Sequence, residues 1–129
     1  MTPDEAFQKK LSDVALTAKG RVIKILPDDH EGAHHQRFVI EGDSESTILI
    51  AHNLERAYRA NIKIGDEVEV RGTYVWNKYG GILHNTHHDD RSACEIISSR
   101  KVVCGPKHED GWIVFVGKKD PHRTKNLPR

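Results

Sequence analysis

Long apolar runs are missing from this chain. No stretch approaches the ~20 apolar residues that cross a bilayer as a helix, and the opening MTPDEAFQKKLSDVAL lacks the apolar centre of a secretion signal. These absences lead us to expect a cytoplasmic chain with no membrane partner. Cysteine is scarce as well. Cys94 and Cys104 are the 2 present; in a reducing compartment they read as free thiols rather than a disulfide. With His108 and either His87 or His88 they form an alternative zinc set, but their spacing matches no standard finger. No charge of one sign dominates: 20 basic residues stand against 19 acidic ones, a formal net charge of +1. Such a chain has no global attraction for nucleic acid, so any electrostatic footprint is local. No internal repeat is visible either.

What is present is histidine. The chain has 9 in 129 residues, and all but His122 lie between His30 and His108. They cluster in DDHEGAHHQR (Asp28 to Arg37), HNTHHDDR (His84 to Arg91) and KHEDGW (Lys107 to Trp112). The length suits one domain with one core.

Periodicity places these clusters on a fold. PDEAFQKKLSDVAL has helical spacing at Ala6, Phe7, Lys10, Leu11 and Val14, which predicts an N-terminal helix within residues 1–19. Strands are expected at Arg21 to Leu26, with Ile23 and Ile25 on one face, at Arg37 to Glu41 and at Thr47 to His52. NLERAYRAN reads as a short helix or helical turn. Gly65-Asp66 is a turn, after which Val68, Val70, Tyr74 and Trp76 alternate on one face. KYGG closes a hairpin into a fifth strand, ILHNTH, and GWIVFVG is a last strand. The string fits a mainly β fold. It predicts a small, partly open, five- to six-stranded β-barrel of the oligonucleotide/oligosaccharide-binding (OB) type over residues 20–117. The N-terminal helix precedes it and a short helix follows strand 3. Residues 118–129 read as a basic disordered tail.

Four segments together, GRVIKILPDDHEGAHHQRFVIE, ILIAHNLERA, IKIGDEVEVRGTYVWNKYGGILHNTHHDD and HEDGWI, resemble the bacterial domain-of-unknown-function 3465 family from Gly20 to Val116. The resemblance implies an OB-like barrel and no established activity. Its motif positions fall on His30, His35, Gln36, Arg37, His52, Asn53, Trp76, Gly80, Gly81, His84, His87, His88, Asp89, His108 and Trp112. Asn85 departs from the tryptophan of the family pattern. Residues 91–107, which hold both cysteines, read as an inserted loop.

The residues permit three chemistries. Imidazoles with a carboxylate bind zinc and related divalent metals, and His84, His88, Asp89 and His108 are the candidate ligands. Asp28 or Glu109 are the carboxylates expected on the outer ring nitrogens. Two histidines and a cation can also cleave a phosphodiester by acid–base catalysis. His35, His84, His88 and Arg37 are that set. The third chemistry is binding alone. Single-stranded nucleic acid or another phosphorylated ligand would meet Arg37, His52, Asn53, Trp76, Tyr79 and Trp112. Tyr74 and Trp76 share a face with Val68 and Val70, so core packing competes for them, whereas Tyr79 sits in a turn and is expected exposed. Binding is the favoured reading and a metal-dependent or histidine-based hydrolase is the alternative. A protein-interaction module with structural histidines is the third. In strand 5, alternation is expected to put His84 and His88 on one face and His87 on the other.

Overall fold

A computed structural model describes residues 1–42, 44, 46–87, 94–98, 101–104 and 111–116. Its elements run α1 (Pro3–Gln8), β1 (Ser12–Asp29), β2 (His35–Glu41), β3 (Thr47–Asn53), β4 (Glu67–Val75), β5 (Ile82–His84), β6 (Cys94–Ser98), β7 (Lys101–Cys104) and β8 (Trp112–Phe115). None of the described helices is long and apolar enough to cross a membrane.

Alternation in the sequence becomes alternation in burial. Along β2, Gln36, Phe38 and Ile40 point inward; along β3, Ile48, Ile50 and His52 do; along β4, Val68, Val70, Gly72 and Tyr74 do. The inward sets join Leu16, Ala18, Val22, Leu83 and Ile113 in one core. The outward residues of β2 and β3 are half-buried.

The ring closes through β1. Its first half pairs antiparallel with β4, from Ser12 opposite Val75 to Arg21 opposite Glu67. Its second half pairs antiparallel with β2, from Arg21 opposite Glu41 to Asp29 opposite His35. One 18-residue strand thus serves two neighbours, with register shifts at Ser12/Val14, Val22/Lys24 and Leu26/Asp29 that let it curl. β2 pairs with β3, β3 runs parallel to β5, and β5 pairs with β4. Five strands close in the order β1-β2-β3-β5-β4-β1. This is the small, partly open, OB-like β-barrel expected from the sequence.

Several local expectations are corrected. The N-terminal helix stops at Gln8, not near residue 16. Lys10 (φ 53°) and Asp13 (φ 60°) turn left-handed, and from Ser12 the backbone joins β4. Leu11, Val14 and Leu16 suit a helix face or a strand, and pairing with a strand more than fifty residues away decides between them. The barrel therefore takes in residues assigned to the helix. Six residues make a marginal helix alone; this one is capped by Thr2 Oγ1, which accepts from Glu5 N at 3.1 Å, and buries Ala6. On β1, Val22 faces the core, while Ile23 and Ile25 remain 41% and 47% exposed. After β3, of the two forms expected for NLERAYRAN, the short helix or the helical turn, the chain takes the turn: Asn53 O accepts from Arg56 N and Ala57 N at 3.3 and 3.1 Å.

Strand 5 is the largest departure. Only Ile82–His84 pair as β5, because Asn85 turns left-handed at φ 53°. The predicted alternation fails from there: Thr86 and His87 are both buried, and His88 lies outside the described residues. The chain leaves the barrel and returns at Gly111, whose N–H donates to His87 O at 2.9 Å. β8 then pairs with Val68 to Arg71 of β4, in line with β5 on Thr73 to Val75. One edge of β4 is thus covered end to end by two short strands. Their junction is tight: a Cβ on Gly72 would lie 2.4 Å from His84 O, and one on Gly111 would lie 2.3 Å from Asn85 O. Within the excursion, β6 and β7 form a hairpin with Cys94 opposite Cys104 in register. The expected basic tail lies outside the described residues.

Candidate functional site

Gln36 and His52 are opposite one another on β2 and β3 and both point inward. They reach the segment that follows β3. Gln36 Nε2 donates to Ala60 O at 2.8 Å, and Ala60 N donates to Gln36 Oε1 at 2.8 Å. His52 lies 2.9 Å from Tyr58 O through Nε2 and 2.7 Å from Thr86 Oγ1 through Nδ1. A carbonyl oxygen only accepts, so Nε2 carries the hydrogen and Nδ1 accepts from the Thr86 hydroxyl. Burial holds the His52 pKa down to about 4, against the opposing bond to Tyr58 O; the nearby His87 and His35 lower it further. At neutral pH His52 is an uncharged, fully bonded pin between β3, residue 58 and the end of β5. The sequence named it as a ligand-binding residue, but it is enclosed. The signal was available: it alternates in step with Ile48 and Ile50.

Outside the same end, the β1–β2 loop holds a charged group. Arg59 donates to Asp28 through two nitrogens, Nη1 to Oδ1 at 3.1 Å and Nη2 to Oδ2. His34 Nε2 lies 2.8 Å from Asp28 Oδ2. The hydrogen bond from Arg59, more than that from His34, holds the Asp28 carboxyl well below the usual carboxylate range, against some desolvation. The rings of His30 and His34 stack with centroids 4.2 Å apart. His34 is fixed by its backbone, its N–H donating to Glu55 Oε2 and its carbonyl accepting from Leu54 N, both at 2.8 Å. His35 Nδ1 donates to Ala33 O at 2.9 Å, which leaves Nε2 the acceptor of the neutral ring. Sequence reasoning missed the pairing of Arg59 with Asp28 and that of Thr86 with His52. Arg59 is 31 residues from Asp28, and no local pattern joins them.

The outward face of β2 and β3 carries His35 and Arg37, opposite Asn53 and Ala51. Val39 and Leu49 follow, then Glu41 and Thr47. Arg37 Nε donates to Pro27 O at 3.0 Å, and Asn53 Oδ1 accepts from Glu55 N at 2.9 Å. The face ends at the β1–β2 loop on one side. On the other stands the β4–β5 loop: Leu49 N donates to Gly81 O at 3.1 Å, and Thr47 Oγ1 to Tyr79 O at 3.4 Å. Seven-residue strands make this face about 20 Å long. In the β4–β5 loop Tyr79 is 76% exposed, as expected. Lys78 Nζ lies 5.2 Å from its ring centroid.

The other candidates are dispersed. Trp76 packs on the core and stacks with Phe7 at 6.2 Å, with Lys10 Nζ 5.5 Å from its centroid. It plugs the barrel under α1 rather than joining the outward face. Tyr74 is buried too and donates to Gly80 O at 2.8 Å. Trp112 is half-buried on β8, opposite Arg71. His84 pairs with Thr73, and its Nε2 is buried. His88, Asp89 and His108 lie outside the described residues. The described histidines therefore do not form one set: the barrel wall separates His52 from His35, and His30 and His34 belong to the loop. A pocket of about 320 Å³ between α1 and the barrel is lined by Asp4, Thr17, Lys19, Ser44 and Ser46 among others. It contains none of these candidates.

No protein of curated function matches the chain. The family model described as "Protein of unknown function (DUF3465)" matches residues 2–121, the span that carries α1, the whole barrel and the β6–β7 excursion, and the chain belongs to that family.

Proposed function

We propose that the outward face of β2 and β3 binds single-stranded nucleic acid or another phosphorylated ligand. The observation that carries this reading is the exposed ring of Tyr79, 76% accessible beside the Lys78 ammonium, at one end of a face that also presents Arg37. A base stacks on an exposed aromatic ring whatever its identity, and a nearby cation meets its phosphate. OB-type barrels offer this same face and its two flanking loops to oligonucleotides, although a fold alone does not fix a ligand. Asn53 and His35 supply hydrogen-bonding groups at the far end. With a net charge of +1, affinity rests on these few contacts.

Fluorescence anisotropy with a labelled single-stranded oligonucleotide at two salt concentrations tests the reading. Binding is expected to weaken as salt rises. Tyr79→Ala should reduce affinity by about tenfold, in line with a lost stack of ~1–3 kcal/mol. Arg37→Ala should flatten the salt dependence by about one phosphate contact. Absence of any salt-sensitive binding removes the proposal.

A further inference from the structure

The end of β1 and the β1–β2 loop bring three metal-ligand side chains together at the rim of the face just proposed, on residues which that reading does not use. Asp28, His30 and His34 each offer one ligand atom, and those atoms lie within 4.8 Å of one another. We propose that Asp28, His30 and His34 form a binding site for a divalent first-row metal, with zinc as the best match.

The donor set selects the class of cation. Two imidazole nitrogens and a carboxylate oxygen suit zinc, cobalt, nickel or copper, whereas calcium and magnesium take oxygen ligands. Three protein ligands leave room in the coordination sphere for water or an oxygen of a bound ligand. The loop is held ready for this. His34 is anchored through both its backbone N–H and its carbonyl. The 4.2 Å stack keeps the His30 ring beside it. His34 Nε2 and Asp28 Oδ2 already face one another 2.8 Å apart, an arrangement in which one cation can meet both. Arg59 reaches both carboxylate oxygens of Asp28. With the cation on Oδ2, Arg59 keeps Oδ1 and orients the ligand from outside. Its positive charge also opposes the cation, so the site is weaker than an enclosed structural zinc site.

This location differs from the sequence expectation. The sequence points to Asp28 only as a carboxylate behind a ligating histidine, with the metal on His84, His88, Asp89 and His108. Here Asp28 stands among the ligands.

The test uses the full chain without a histidine tag and the metal alone, so it does not depend on nucleic-acid binding. Cobalt titration followed by visible absorption, with zinc competition, measures the site. Wild type is expected to bind one equivalent. His30→Ala and His34→Ala should each weaken binding by at least about tenfold, while a His88→Ala/His108→Ala variant retains it. Both loop histidines lie outside the core, and thermal melting monitors their folding. As a second readout on wild type, cobalt should broaden the imidazole NMR signals of His30 and His34 before those of other histidines. Unchanged binding in the two loop variants, loss confined to the His88/His108 variant, broadening elsewhere first, or no stoichiometric uptake would each overturn the proposal.

Discussion

His52 and His34 are both hydrogen-bonded histidines near the same end of the barrel, yet the sheet places them in opposite media. Inside, His52 is shielded and uncharged, and both nitrogens are committed to Tyr58 and Thr86. Outside, His34 shares Asp28 with Arg59, and its side chain keeps 37% of its accessible surface. The inner group is a structural network whose members cannot be removed without stranding a buried partner. The outer group contacts solvent and can exchange partners. Residue type therefore does not assign a role to a histidine; burial and the completeness of its hydrogen bonds do.

The comparison breaks most sharply at His52. His52→Ala leaves a cavity and strands Thr86 Oγ1 and Tyr58 O, with an expected loss of about 3 kcal/mol of stability. Urea denaturation at neutral pH measures it; a loss below about 1 kcal/mol would mean that His52 holds nothing together.

Acid should produce a comparable effect in the native sequence. The unfolded imidazole takes its proton near the ordinary value of 6.5, the folded one only near about 4. Between those limits the unfolded state binds more protons, so stability falls as the pH falls. His52's contribution is complete above the upper limit and gone below the lower, amounting to about 3 kcal/mol. Asp28 has its own window, which opens only below the usual carboxylate value of 3.8. Denaturation midpoints across this range should slope in wild type and flatten in His52→Gln; a flat wild-type profile would contradict an enclosed imidazole.

Gln36→Leu should cost less, about 2 kcal/mol, by stranding Ala60 N–H and carbonyl while keeping the volume filled. Hydrogen exchange at Ala60 should accelerate with it, and an unchanged rate would rule out the clasp. The smallest effect belongs outside. Arg59→Ala should change stability by less than about 1 kcal/mol, since its pair with Asp28 borders solvent. A larger loss in the same urea assay would show that the outer group also bears on the fold.

The sequence displays the inward pattern of the central strands directly. Phe38 and Ile40, like Ile48 and Ile50, alternate in the sequence as they do in burial, and Val68, Val70 and Tyr74 keep the shared face expected of them. What it conceals is non-local. Residues 9–16 carry apolar positions compatible with a helix, and only the β4 edge from Glu67 to Val75 makes a strand of those from Ser12 onward. Thr86 follows a left-handed Asn85, so counting by twos assigns it no useful neighbour. For the candidate site, the exposed Tyr79 and the competing core role of Tyr74 and Trp76 could be foreseen, and His52's alignment with two isoleucines carried a hint of its burial. The Asp28–Arg59 pair could not be foreseen, because it depends on how the segment after β3 folds back over the β1–β2 loop.

The interrupted edge of β4 has a consequence for how this barrel accommodates change. His87 and Gly111 are hydrogen-bonded neighbours, so the two ends of the segment that joins them meet at a single doorway in the wall. Closing a longer loop there adds little entropic cost, since that cost grows only with the logarithm of length. The five-stranded ring need not be retuned when the segment grows, shrinks or is exchanged. Gly72 and Gly111, with no side chain to spare, are the doorposts: a methyl group at either would press on the opposing backbone. The barrel is thus a chassis with a cassette slot, and the length of residues 88–110 is a variable the fold leaves open.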